Sequence, residues 1–345
     1  MKYVDLRSDT VTKPTPAMWE AMSKAQVGDD VFGDDPTINQ LQEMAAAKTG
    51  KEAGLFVPSG TMGNLAGILA HCTRGDEVIM GQRSHTFLHE GGGISTLGGV
   101  HSCQIKEQVD GSLALDDIKA VIREDDIHEP VTRLIEIENT QNACGGVYQS
   151  PEYIQRLADF AHERGLIVHM DGARVFNAAV AQGLDVRQLT GPVDSVTFCL
   201  SKGLCAPVGS VLCGSTEFIK KARRLRKHLG GGMRQAGVIA AAGIVALESM
   251  VERLSEDHAR AANLAEKLRT IPGILLNPEK PATNMIFFDL ADSITMNTAQ
   301  IEKKLLEFGL LTSASGPRRF RLVTHYWITD QDVETTVAAF REVLK

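Results

Sequence analysis

Between Gly54 and Gly214 short apolar runs alternate with stretches whose hydrophobic residues recur every three or four positions. The runs predict strands over residues 55–57, 77–80, 133–138, 166–170, 195–200 and 210–213. The stretches between them predict helices over 63–71, 115–122 and 151–163. The last opens on Pro151 and has Gly165 just past its end. Strand then helix, repeated, is the pattern of an α/β domain around a mostly parallel sheet. After Gly237 the texture changes to long helical runs over 238–250 and 254–270, then a polar break at 277–283. Strands at 285–290 and 320–323 with helices at 298–308 and 330–344 make the remainder a smaller α+β unit. The expected division is an N-terminal arm (1–15), a large α/β domain (16–250) and a small C-terminal α+β domain (251–345).

Composition adds limits. A chain of 345 residues is long for one core, and 43% hydrophobic with 23% charged residues is the balance of a folded globular protein. Lys and Arg total 36 against 43 Asp and Glu, a net charge of -7 that repels a phosphate backbone, so no nucleic-acid partner is expected. Asp5, Arg7 and Asp9 stand where a secretory leader needs an apolar core, and no apolar run approaches membrane-spanning length. The expectation is a cytoplasmic protein with no membrane partner. Six cysteines (72, 103, 144, 199, 205 and 213) contain no CxxC pair, which favours reduced core residues over a zinc site or a disulfide framework. No ligand spacing declares a metal. Lys220, Lys221, Arg223, Arg224, Arg226 and Lys227 crowd one helical stretch ending at Gly230–Gly232; this reads either as a solvated face or as an anion-facing surface at a subunit interface.

Four places carry candidate chemistry. The run Val196–Leu200 ends in Ser201-Lys202-Gly203, which puts an amine at the carboxyl edge of the sheet, where α/β enzymes bind ligands. A lysine desolvated there is a candidate for Schiff-base formation with an aldehyde. Leu166–Met170 ends in Asp171 at the same edge. An acid there can pair with a pyridinium nitrogen, or simply cap the following helix. Ser59-Gly60-Thr61 turns from a strand into a helix and offers free amides to a phosphate, although capping alone would also explain it. His85 follows the 77–80 strand and has the flat shape to stack on a ring. No GxGxxG or GxxxxGK[ST] appears, which argues against dinucleotide or P-loop binding. Phosphate turn, stacking ring, ring-nitrogen acid and lysine, in that order along one sheet, point to pyridoxal phosphate.

The wording of these motifs resembles the threonine aldolases, members of the fold type I, aspartate aminotransferase-like enzymes that use pyridoxal phosphate. The likeness runs from Asp5-Leu-Arg-Ser8-Asp-Thr-Val-Thr-Lys-Pro14 and Val27-Gly-Asp-Asp30 through Val57-Pro-Ser-Gly-Thr61, His169-Met-Asp-Gly-Ala-Arg174, Cys199-Leu-Ser-Lys-Gly203 and Gly230-Gly-Gly-Met-Arg-Gln235 to Arg321-Leu-Val-Thr-His325. It implies Lys202 as the amine carrying the cofactor, Asp171 at the pyridine nitrogen, His85 stacked on the ring, and Ser59, Gly60 and Thr61 at the phosphate. It further implies Arg174 near the ring hydroxyl and the substrate carboxylate, with Ser8 and Arg321 on that carboxylate. His128 falls near the substrate hydroxyl, as a second candidate base beside His85. Arg234 and Lys227 are contributions from a neighbouring subunit, so the resemblance implies a homo-oligomer, a dimer at least and by extension a tetramer with shared sites. Phe32 stands where tyrosine is usual and Gln141 where histidine is usual, departures that bear on substrate preference. The activity implied is cleavage of L-threonine or L-allo-threonine into glycine and acetaldehyde. The lysine and the acid alone leave open racemisation or transamination on the same cofactor, and a non-catalytic binding protein.

Overall fold

The site is carried by a seven-stranded sheet, seen in a computed structural model that describes residues 3–345. The strands are β1 (Ala53–Val57), β2 (Asp76–Gly81), β3 (His101–Ile105), β4 (Val131–Glu138), β5 (Ile167–Asp171), β6 (Ser195–Cys199) and β7 (Ser210–Gly214). Their spatial order is β1-β7-β6-β5-β4-β2-β3, and every pairing is parallel except the two made by β7. The chain from Cys199 to Ser210 forms no helix, so it cannot make the crossover that a parallel return requires, and β7 comes back antiparallel. Helices pack on the sheet, which is why β2, β6 and β7 are buried at every position and read as continuous apolar runs rather than alternating ones. The sequence pattern missed β3. Its His-Ser-Cys-Gln-Ile run lies at the sheet edge, is mostly only half-buried, and carries too few apolar residues to register as a strand.

Local signals fixed most helix ends. Ser150 caps the helix Pro151–His162 by accepting from the Tyr153 amide, and Gly165 closes the turn beyond it at φ +69°. The helix expected from residue 63 starts at Gly60, because Ser59 acts as its N-cap and accepts from the Met62 amide at 3.2 Å. The run at 238–250 is α-helical over Gly237–Val245 and widens to a π-helical turn over Ala246–Met250.

Buried apolar side chains gather into two main cores. One spans Met18 to Leu254 around the large sheet. The other joins Leu6 to residues 261–344 around an antiparallel sheet of Ile274–Leu276, Met285–Leu290, Ser313–Gly316 and Arg319–Val323. Phe288, Phe320 and Phe340 pack ring on ring at its centre, with centroids 5.3 to 6.0 Å apart. The N-terminal arm is woven into this second unit: Val4–Asp5 pairs in parallel with Leu310–Leu311, and Leu6 is fully buried. Residues 1 and 2 of the expected arm lie outside the described residues. No described helix is long and apolar enough to cross a membrane.

Candidate active site

At the carboxyl edge of the sheet, parallel register sets acids side by side. Glu138 ends β4, Asp171 ends β5, and the two are register partners. Lys202 follows β6, with its backbone carbonyl held by the Thr12 hydroxyl at 2.9 Å. A cavity of about 200 Å³ opens there, lined by Ser8, His85, Asp171, Arg174, Lys202 and Arg321, with Thr10, His89, Glu138, Ala173 and Asn142 completing its wall. Five elements far apart in sequence thus converge on one pocket: the N-terminal segment with Ser8 and Thr10, the turn after β2, the strand ends, the β6–β7 segment and Arg321 on the antiparallel sheet.

Asp171 is anchored on both oxygens. Oδ1 accepts from the Ala173 amide at 3.0 Å and Oδ2 from the Asn64 side chain at 2.9 Å. Those bonds hold a carboxylate at the pocket floor in one orientation, as a partner for a ring nitrogen requires. His85 opens the short helix His85–Leu88. Its amide donates to Glu138 at 2.9 Å, and its ring Nδ1 lies 2.8 Å from Glu90 Oε1. Burial, with the adjacent Asp171 charge, pushes the Glu138 carboxyl up to about 7 against the stabilising Asn142 and His85 amides. The Glu90 hydrogen bond raises His85, while burial opposes it. His85, Glu90 and Asp171 offer three ligand atoms within 4.8 Å of one another; the Asn64 amide lies between the two carboxylates and accounts for their closeness without an ion.

The arginines divide their duties. Arg174, only 7% exposed, grips fully buried Asp9 with two bonds of 2.7 and 2.6 Å. The guanidinium holds the Asp9 carboxyl well below the usual carboxylate range despite its burial. Most of the Arg174 fork is therefore spent on the protein; Arg174 lines the cavity, where it was expected near the ring hydroxyl and the substrate carboxylate, with only Nη1 without a bond among the described residues. Arg321 differs. Its guanidinium donates to two neutral oxygens, Asn142 Oδ1 at 2.8 Å and the Arg7 carbonyl at 3.2 Å, and it has no carboxylate partner among the described residues. Burial, and then the Arg174 charge, make its cation less favourable. A half-buried fork without an anion, on a cavity wall, has the geometry to receive a carboxylate. Ser8 lies at the same wall as the cap of the turn Asp9–Val11.

The phosphate turn fits as well. Gly60 is tightly placed, since a Cβ there would lie 3.0 Å from Cys199 Sγ and fit only if the sulfur gave way. The helix Gly60–His71 starts at this turn, with Ser59 and Thr61 exposed. Lysine, ring-facing carboxylate, phosphate turn and stacking histidine all suit pyridoxal phosphate.

Other expected residues stand apart. His128 lies in the loop before β4, its side chain 83% exposed and bonded to Asp126 at 2.7 Å. Glu138 ends that strand of eight residues, so His128, before its start, sits at the opposite sheet edge, roughly 25 Å from the pocket at the rise of an extended chain. The resemblance placed it near the substrate hydroxyl, but its own chain does not bring it there. Lys227 and Arg234 are exposed and line no part of the cavity; Arg234 pairs with Asp29 at 2.9 Å. The basic helix Thr216–His228 is not uniformly solvated either, because Arg226 is buried against Asp30 at 2.5 Å and the Phe56 carbonyl at 2.7 Å. Phe32 is 77% exposed. Gln141 is buried, donating to the Arg83 carbonyl at 3.1 Å and accepting from the Cys144 amide at 2.7 Å, so it braces a loop rather than facing the cavity. Burial pushes the Cys205 and Cys213 thiols up to about 12, which fits packing rather than nucleophilic roles.

Sequence reasoning passed over Asp9, Thr10, Asn64, Glu90 and Glu138. Strand-terminal Glu138 carried the same signal as Asp171. Asn64 and Glu90 carried none, being ordinary polar residues of a helix and a loop.

Residues 5–292 match the family model described as beta-eliminating lyase. The chain is 48% identical to low-specificity L-threonine aldolase 1 of Arabidopsis thaliana, covering 100% of this chain and 97% of that protein. It is 46% identical to low specificity L-threonine aldolase of Escherichia coli strain K12, covering 99% of each. A solved structure of Leishmania major threonine aldolase superposes with a TM-score of 0.83 at 20% identity, over 98% of this chain and 99% of that one.

Proposed function

Because the chain belongs to the threonine aldolase family, within the beta-eliminating lyases, we propose that it cleaves L-threonine and L-allo-threonine into glycine and acetaldehyde. Pyridoxal phosphate is the cofactor, held by Lys202, Asp171 and His85 in the cavity and by the Ser59-Gly60-Thr61 turn at the start of the helix Gly60–His71, outside the cavity lining. When bound it supplies an electron sink for the pair left on Cα.

The protein's own residues set which bond breaks. Arg321, assisted by Ser8 and the remaining Nη1 of Arg174, binds the substrate carboxylate and so fixes rotation about the bonds at Cα. That orientation decides whether the Cα–Cβ bond or the Cα–H bond lies along the cleavage direction. His85 takes the β-hydroxyl proton as the carbonyl of the aldehyde forms and the Cα–Cβ bond opens. The pair remaining on Cα then accepts a proton to give glycine. General-base assistance of this kind is worth about 10²- to 10⁴-fold.

The observation that carries this reading is the uncompensated Arg321 fork in the same cavity as Lys202 and Asp171. Two separate cores support an arm over 1–15, a large cofactor domain over 16–250 and a small one over 251–345, and Ser8 and Thr10 of the arm stand on the pocket wall. Exposed Arg234 and Lys227 serve a neighbouring protomer's site, in a cytoplasmic homotetramer. His128 contributes to a substrate hydroxyl only if a second protomer carries it to the pocket. The test is to incubate the protein, loaded with pyridoxal phosphate, with L-threonine and L-allo-threonine and to assay acetaldehyde and glycine. A 2-oxo acid or an epimerised amino acid without aldehyde would replace the reading with transamination or racemisation.

A further inference from the structure

His85 has two ring nitrogens and the chain engages one. Nδ1 lies 2.8 Å from Glu90 Oε1, while Nε2 has no hydrogen-bond partner among the described residues, on a ring that lines the cavity. Glu90 is buried and its orientation is imposed. The same Oε1 accepts from Asn64 Nδ2 at 3.0 Å, and that nitrogen also donates to Asp171 Oδ2 at 2.9 Å. An amide nitrogen carries two hydrogens, and here both point at carboxylates, which fixes which end of the Asn64 amide is nitrogen. Asn64 Oδ1 is left facing His169 Nε2 at 3.4 Å. A carboxylate that already accepts from an amide is an acceptor toward the imidazole as well, so the His85 proton resides on Nδ1 and the lone pair on Nε2.

We propose that Glu90, seated by Asn64, is a positioning residue for the aldol cleavage: it holds the His85 proton on Nδ1 and leaves Nε2 as the base for the β-hydroxyl proton. The proposal rests on the reading of His85 as that base. In the step itself the hydroxyl O–H proton passes to Nε2, the O–H pair becomes the second bond of the aldehyde carbonyl, and the Cα–Cβ pair stays on Cα. Glu90 touches neither substrate nor cofactor. It stabilises the doubly protonated ring that results, because its charge sits against Nδ1–H. The charged and titratable groups facing His85 are Glu90 on the following turn, Asp171 on β5, Lys202 after β6, His89 on its own helix and Glu138 on β4 through the His85 amide.

The test uses the full chain labelled at its histidine rings, before and after loading with pyridoxal phosphate, with Glu90→Gln and Glu90→Asp as variants and His85→Asn to assign the signal. Glu90→Gln keeps volume and removes the charge; Glu90→Asp keeps the charge at shorter reach. With Glu90→Gln the His85 titration moves to lower pH, the acid limb of kcat/KM for threonine moves with it, and kcat falls about 10²-fold, the loss expected when a general base is mis-set. Glu90→Asp retains more of the wild-type titration. An unchanged His85 titration in Glu90→Gln, or equal effects of the two variants, overturns the proposal. A titration that moves while the kcat/KM profile does not overturns His85 as the base and leaves the hold of Glu90 on the ring intact, which separates the two ideas. If Glu90→Gln does not fold, Glu90→Asp alone decides: a His85 signal that titrates as though no carboxylate were present refutes the assignment.

Discussion

The buried inner side of the site and the exposed surface outside its cavity are built differently. On the inner side, Asp9 is locked to Arg174, Asp171 to Asn64, and Glu138 to two amides, all buried and bonded within one chain. On the outer side, beyond the cavity wall, Ser59, Thr61, Lys227 and Arg234 are exposed, and Arg234 is tied to Asp29 in a surface ion pair. The inner half is finished by the fold. The outer half leaves its donors and cations exposed at the surface. Preorganisation is therefore concentrated at the pocket, where charge develops during bond cleavage.

Substitutions separate the halves. Lys202→Ala should remove the visible absorbance of the bound cofactor and lower turnover by more than about 10³-fold, as loss of a covalent participant does; a coloured, active variant would take Lys202 out of that role. Asp9→Asn leaves buried Arg174 unpaired and should cost about 3–5 kcal/mol in stability. Denaturant midpoints close to wild type would mean that the inner half is less rigid than its bonds indicate. Arg321→Ala should raise KM about 10- to 10²-fold, through loss of charge-assisted bonds worth about 1.5–3 kcal/mol. Steady-state kinetics with threonine decide that, and an unaltered KM removes Arg321 from the carboxylate.

A pH scan adds a fourth distinction. The folded-state pKa of Glu138, about 7, lies above its ordinary value, so the unfolded chain ionises first as pH rises. The stability this group contributes is full below the unfolded value and is lost on rising through about 7. Glu138→Gln should flatten that fall, read as thermal midpoints across the range; an identical slope would assign it to other acids. Arg234→Ala is the mildest change: the exposed pair with Asp29 is worth less than about 1 kcal/mol to the chain. Its effect should appear instead as weaker retention of pyridoxal phosphate at unchanged thermal stability of the cofactor-free protein. Unchanged retention on dialysis would confine the outer half to a single chain.

Much of this was legible before any coordinates. Periodicity gave six of the seven large-sheet strands, and strand-terminal position picked out Lys202 and Asp171, because a parallel sheet sends every strand end to one edge. Turn chemistry at Ser59-Gly60 marked a helix start for the same local reason. Side-chain partnerships were not legible. That Arg174 is paired with Asp9 while Arg321 meets only neutral oxygens among the described residues depends on contacts across 165 and 179 residues of chain. That His128 sits at the far edge depends on which end of β4 it precedes, and that Glu90 meets His85 depends on the path of a loop. Local pattern and backbone geometry decide which elements form and which edge they share; only packing decides which buried charge is already satisfied, since that is settled by neighbours remote in the chain.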